Sequence, residues 1–317
     1  MRRPIGLHWR GMATRILAVL LLLCAGAASG QSTLPPIPDA SQGSVPLTQR
    51  NPLVVEGDRW YARRQEGRSG SRASTGPIAK AIAAYDEAAR APDQIEARWK
   101  LARALYFKGV YTGMDPDGRK AVFQKARRVA DEAIQILNTS VQDRGVTGIL
   151  NLAPEILAGR LKDRSDAAPT YFWAAVAWGE WALSQGKVEA AKSGAAEKIR
   201  DYALTVVGID PEFEEGGGFR ILGRLHDQAP WIPFITGWVS EDEAIKYLRM
   251  AMERSSRNFV NRHFLAEALH KGGGKEKAEA LALEEALAAD TPSPQHLVEE
   301  LKIQDDARKN LAAWKKD

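Results

Sequence analysis

The chain holds a single cysteine, Cys24, among its 317 residues. One thiol excludes a disulfide framework and any cysteine-built metal site. An excess of charge is missing too. The formal net charge is +4, but residues 1–30 carry Arg2, Arg3, Arg10 and Arg15 and no acid. Setting those four aside leaves 40 basic against 40 acidic residues. With no basic surplus to neutralise phosphates, a general nucleic-acid binder is not expected. Runs of alternating polar and β-branched apolar residues are absent, so strands are not expected.

Motifs for catalysis and metal binding are also missing. Beyond the leader the histidines are His226, His263, His270 and His296, and no two stand at HExxH spacing. His263 and His270 fall two turns apart on one helix, too far to chelate one ion together. There is no Gly-x-Ser-x-Gly elbow. Gly216-Gly217-Gly218 precedes a helix, yet no Gly-Lys-Ser/Thr follows, so a P-loop is rejected. The sequence predicts no enzyme, no metal and no cofactor.

What is present begins with a leader. Arg15 is followed by Ile16–Ala28, thirteen residues without charge, then by the small residues Ala25–Gly30 that close the segment. A basic start, a short apolar core and small residues before a cut make a secretory signal over 1–30, so export is expected. Met12 is an alternative start. Lipidation of Cys24 is the alternative processing, but Leu23 stands where a lipoprotein signal needs a small residue. Residues 31–52 hold Pro35, Pro36, Pro38, Pro46 and Pro52 among Ser, Gln and Thr, the composition of a disordered spacer. Gly67–Pro77 reads as a flexible loop.

Residues 53–317 read as all-α. Ala, Leu, Glu, Lys and Arg dominate, and Gly or Pro punctuate at loop spacing. The helices pair into a repeat. Ala81, Tyr85 and Ala88 recur as Ala244, Leu248 and Ala251, and again as Ala278, Ala282 and Glu285. Ala244 and Ala278 are 34 positions apart. Partner helices offer Leu101, Ala102 and Leu105, and Leu265, Ala266 and Leu269. Small residues at three- and four-residue spacing let helices approach closely. A tetratricopeptide-like α-solenoid of about ten to twelve helices follows, with a long insertion at Thr139–Pro169. That insertion is open to two readings, a binding face or a packing element.

Two aromatic stretches stand out. Ala167–Gly186 carries one charge, Glu180, with Tyr171, Phe172, Trp173, Trp178 and Trp181. A helix apolar all round is a buried central helix; its rings either pack the core or line a cavity for an apolar ligand. The second stretch, Pro230–Trp238, sets Trp231, Phe234 and Trp238 beside Pro230 and Pro233. It either packs into the solenoid groove or presents an apolar patch to a partner. Arg224 and His226 lie just before it, as polar candidates beside any ligand.

The segments YFWAAVAWGEW (171–181) and GIDPEFEEGGGFRILGRLHDQAPWIPFITGWVSEDEAIKYLRMAM (208–252) resemble the T-component family of tripartite ATP-independent periplasmic (TRAP) transporters. The resemblance rests on Trp173, Trp178, Gly217, Gly218, Leu222, Gly223, Pro230, Gly237, Ala244 and Ala251. It implies an exported helical protein that binds the substrate-carrying P-component, handles an apolar small molecule and forms a homotrimer. Typical members of that family are lipoproteins, and here the signal departs at Leu23. The alternative reading is a general periplasmic tetratricopeptide scaffold for protein assembly.

Overall fold

A computed structural model describes residues 50–142, 148, 152–233 and 235–316. The expected leader with Cys24, residues 31–49 of the expected spacer, the centre of the insertion and Phe234 lie outside the described residues. The described chain is all-α, with thirteen helices and, in place of strands, one isolated bridge between Ser69 and Arg72.

Side-chain caps fix where several helices start. Asn51 Oδ1 accepts the Leu53 N–H at 3.0 Å and Pro52 fills the first turn, so α1 runs Pro52–Ala62. Ser74 caps α2 (Thr75–Ala88), so helix already includes Thr75, Gly76 and Pro77 of the expected loop. The rest of that loop is pinned by the Ser69–Arg72 bridge and by the buried Ala73. Next come α3 (Ile95–Tyr111) and the long α4 (Pro116–Gln142), which takes in the start of the expected insertion. After α5 (Pro154–Leu161), α6 (Ala167–Gln185), α7 (Lys187–Lys192) and α8 (Ala195–Ile209) comes α9 (Gly217–Gln228). Ser240 caps α10 (Glu241–Arg254), and Asn258 caps α11 (Phe259–Gly272) by accepting from Val260 and Asn261. The chain ends in α12 (Glu276–Ala289) and α13 (Leu297–Trp314).

Burial separates two kinds of helix. α3, α6, α9 and α11 are buried almost all round, whereas α2, α8, α10 and α12 bury one face. The enclosed helices touch in succession, α3 on α6, α6 on α9 and α9 on α11. One-faced helices flank them: α8 packs on α6 and α9, and α10 on α9 and α11.

The expected contact faces hold for two copies of the repeat and fail for the third. Ala81, Tyr85 and Ala88 are buried, as are Ala244, Leu248 and Ala251. Ala278, Ala282 and Glu285 are exposed; α12 instead buries Ala280, Glu284 and Leu287. The reason lies across the interface, where Glu284 meets His263 Nδ1 at 3.0 Å and Asn310 Nδ2 at 2.8 Å. A polar anchor sets this helix's rotation, and an Ala-rich sequence offers no distinct apolar stripe to reveal it.

Gly223 marks a close packing of the second copy. A Cβ there would stand 2.5 Å from Leu248 Cγ and 3.0 Å from the Ala244 carbonyl oxygen, so α9 and α10 meet backbone to side chain. The turn into α9 is built from Glu214, Glu215 and Gly216, all at positive φ. Left-handed backbone is costly for the two glutamates. Asn261 Nδ2 donates to the Glu215 carbonyl at 3.1 Å and Arg220 to the Glu214 carbonyl at 3.1 Å, which holds the turn.

Candidate functional site

The α6 rings are satisfied by their neighbours. Tyr171 donates to Asn138 Oδ1 at 2.8 Å, and burial pushes its hydroxyl pKa up. Trp173 meets Phe172 edge-on at 5.2 Å and Tyr106 at 5.9 Å. Trp178 donates to Asp131 Oδ1 at 2.7 Å, and Trp181 donates to Gln124 on the same neighbour, α4. The Arg127 guanidinium lies 4.7 Å from the Trp178 ring and 4.4 Å from the Trp181 ring, while the Lys198 ammonium lies 4.7 Å from Trp178. These cation–ring contacts were not foreseen from sequence, because Arg127 and Lys198 sit on other helices and carry no local pattern. All four rings belong to the packed core, which is the first of the two readings of this helix.

Glu180 sits within that core at 7% exposure, and its Oε1 has no hydrogen-bond partner. Burial raises its pKa to about 8, against the opposing pull of Arg119 and Arg224. At neutral pH it is a protonated carboxyl enclosed by helices.

Arg224 and His226 do not converge, because positions two apart on a helix point to different sides. Arg224 bonds Glu267 Oε2 on α11 at 2.6 Å and Asp227 at 3.0 Å. His226 turns to α10: the Ser240 N–H donates to its Nδ1 at 3.2 Å, and its ring packs against Trp238 at 5.3 Å and Tyr247 at 5.7 Å.

The loop between α9 and α10 is tied to itself. The Ile232 N–H donates to Thr236 Oγ1 at 2.9 Å, Thr236 Oγ1 donates to the Pro230 carbonyl, and the Thr236 N–H donates to the Ile232 carbonyl at 2.9 Å. Trp231 Nε1 donates to the Gly237 carbonyl at 3.1 Å, and Trp238 Nε1 to the Ile235 carbonyl at 3.1 Å. Thr236 is the buried hub of this cap. Trp238 is half-buried beneath Arg200, whose guanidinium lies 4.7 Å from its ring. Trp231 is 62% exposed and Ile235 40%. Of the two readings of this stretch, Trp231 and Ile235 follow the exposed one and Trp238 the packed one. Phe234, the remaining candidate, lies outside the described residues.

An open groove of about 410 Å³ is lined by Asp242, Ile245, Lys246, Arg249, Met250 and Glu253 of α10 with Glu276 of α12. Its mixed charges do not resemble an apolar ligand pocket, which is lined mostly by hydrophobic and aromatic groups. No cluster of three or more His, Cys, Asp or Glu able to hold a metal occurs among the described residues. None of the described helices is long and apolar enough to cross a membrane. No protein-family model and no curated protein matches the chain.

Proposed function

We propose that this chain is a non-catalytic, exported helical-repeat protein of the tetratricopeptide type, which docks a partner protein through the 230–238 cap. The observation that carries the proposal is the exposure of Trp231 and Ile235 on a loop whose own hydrogen bonds hold it in shape. A preorganised aromatic anchor loses little conformational freedom on binding, and tryptophan is among the residues enriched at the energetic centres of interfaces. The cap falls inside the 208–252 segment that resembles the TRAP T-component family. That resemblance supports a substrate-carrying P-component as the partner. The general periplasmic scaffold would use the same cap for a different protein. The apolar-ligand reading is secondary in this proposal, because the α6 rings already have neighbours on every side.

Size-exclusion chromatography with light scattering tests the partner directly. The purified protein mixed with a purified P-component is expected to elute as a complex heavier than either alone. Two separate peaks at tens of micromolar of each would overturn the TRAP reading.

A further inference from the structure

We propose that His226 is a pH-responsive fastener of the cap: as neutral imidazole it holds the end of the 229–239 loop and the start of α10 against α9, and on protonation it releases them. The inference rests on the docking role of the cap and adds a means of regulating it.

The geometry starts from one hydrogen bond. The Ser240 backbone N–H donates to His226 Nδ1 at 3.2 Å. An acceptor Nδ1 means that the neutral ring carries its proton on Nε2. Ser240 occupies a sensitive position, since it directly follows the loop and is the N-cap of α10, with its Oγ accepting from the Glu243 N–H. A proton added to Nδ1 makes it a donor facing a donor, so the bond is lost and the Ser240 N–H loses its acceptor. The ring also touches the cap itself, edge-on to Trp238 at 5.3 Å. One protonation therefore acts on both the backbone and the ring that fasten the loop.

The charges around the ring decide where it titrates. Between Ala229 and Val239 the loop carries no charged residue. From α10, Glu243 favours the protonated ring and Lys246 opposes it, while those two are bonded to each other at 3.0 Å. From α8, Arg200 opposes it and is itself paired with Asp201 at 3.0 Å. On α9 the adjacent Asp227 is taken up by Arg224 at 3.0 Å and by Lys271 of α11 at 3.3 Å. Tyr247 covers one face of the ring. Burial is the largest influence and lowers the pKa below the ordinary 6.5. The loop is then fastened at neutral pH and released in acid. Histidine is the side chain suited to such a switch.

The test follows the loop and the partner separately. Two-dimensional NMR of the purified protein between pH 4 and 8 reads the Ser240 amide, the Trp238 indole N–H and the His226 ring. All three are expected to move with one shared midpoint below 6.5. In H226N the amide oxygen replaces Nδ1 as acceptor but does not titrate, so the Ser240 and Trp238 transition is expected to vanish. Equal melting temperatures for H226N and wild type at pH 7.5 establish that the variant is folded. Resonances of Ser240 and Trp238 that stay flat while His226 titrates would overturn the switch, as would a transition that persists in H226N. Affinity for a purified P-component is expected to fall about tenfold on crossing the midpoint in wild type and to stay constant in H226N. A loop that titrates in a protein that binds no P-component at any pH supports the switch and overturns the docking partner instead.

Discussion

Arg64 and Glu299, separated by 235 positions, form a buried ion pair with Nη2 to Oε1 at 2.8 Å. Around it Gln65 Nε2 donates to the Pro294 and Gln295 carbonyls, and Ser71 Oγ donates to Asp305 Oδ2 at 2.7 Å. The turn after the first helix is thereby fastened to the start of the last one. Removing one partner of a buried pair leaves the other charge uncompensated and costs roughly 3–5 kcal/mol. Glu299→Ala is expected to lose stability in that range in urea unfolding. Replacing both, in Arg64→Met with Glu299→Leu, is expected to cost less than the single change. A single variant as stable as wild type would show that the two ends are held by other contacts.

Gly223 gives a prediction about packing. Any side chain meets Leu248 Cγ and the Ala244 carbonyl oxygen at once. Overpacking of this kind costs typically 1–3 kcal/mol. Gly223→Leu is expected to lower the melting temperature by several degrees, and Gly223→Ala to lower it despite alanine's better helix propensity. An unchanged melt for Gly223→Leu would mean that α9 and α10 do not touch there.

These two cases show what the sequence made legible. Gly223 and the Ala244–Leu248–Ala251 face lie in local patterns of small and large residues, and local spacing reports a helix face. The burial of α6 was legible for the same reason, since nineteen residues with one acid leave no polar face. Arg64 and Glu299 carry no such mark; either is an ordinary surface residue until the fold brings 235 positions together. The rotation of α12 was misread because Glu284, a charged residue, occupies the buried side at 0% exposure and Ala278 the open one. At the candidate site, the unusual apolarity of Pro230–Trp238 was visible. Which of its rings face outwards was not, because Thr236 decides it through hydrogen bonds within the loop.

Two buried groups with raised pKa values predict stability that falls as pH rises. Glu180 has a folded pKa of about 8 against an ordinary 4.5, so the folded state keeps a proton that the unfolded state releases. Stability therefore falls as pH rises from 4.5 to about 8. Glu180→Gln is expected to remove that fall and to exceed wild type by more than about 1 kcal/mol at pH 8, given about 1.4 kcal/mol per pKa unit. Parallel stability curves for the two proteins from pH 5 to pH 8 would contradict the burial of this carboxyl.

His263 shifts stability in the same direction, but its protonated form is the charged one. Burial lowers its pKa, but Glu267 and Glu284 together outweigh burial and raise it above 6.5. Its stabilisation is complete below 6.5 and is lost as pH rises through the raised value. His263→Gln is expected to cost most near pH 6 and least near pH 9 in denaturant unfolding. A cost that grows towards pH 9 would contradict the charged arrangement.

The most direct test of the account is the affinity of Trp231→Ala for a purified P-component, measured by calorimetry at pH 7.5 beside wild type. Trp231 is 62% exposed, so its removal is expected to leave the melting temperature within about a degree, as surface substitutions usually do. Truncating an interface anchor costs about 2 kcal/mol or more, which is roughly thirtyfold in affinity. The account predicts that loss, with Trp231→Ala still folded and the enthalpy of binding reduced or gone. A variant that binds as tightly as wild type would contradict the assignment of the 230–238 cap as the docking surface.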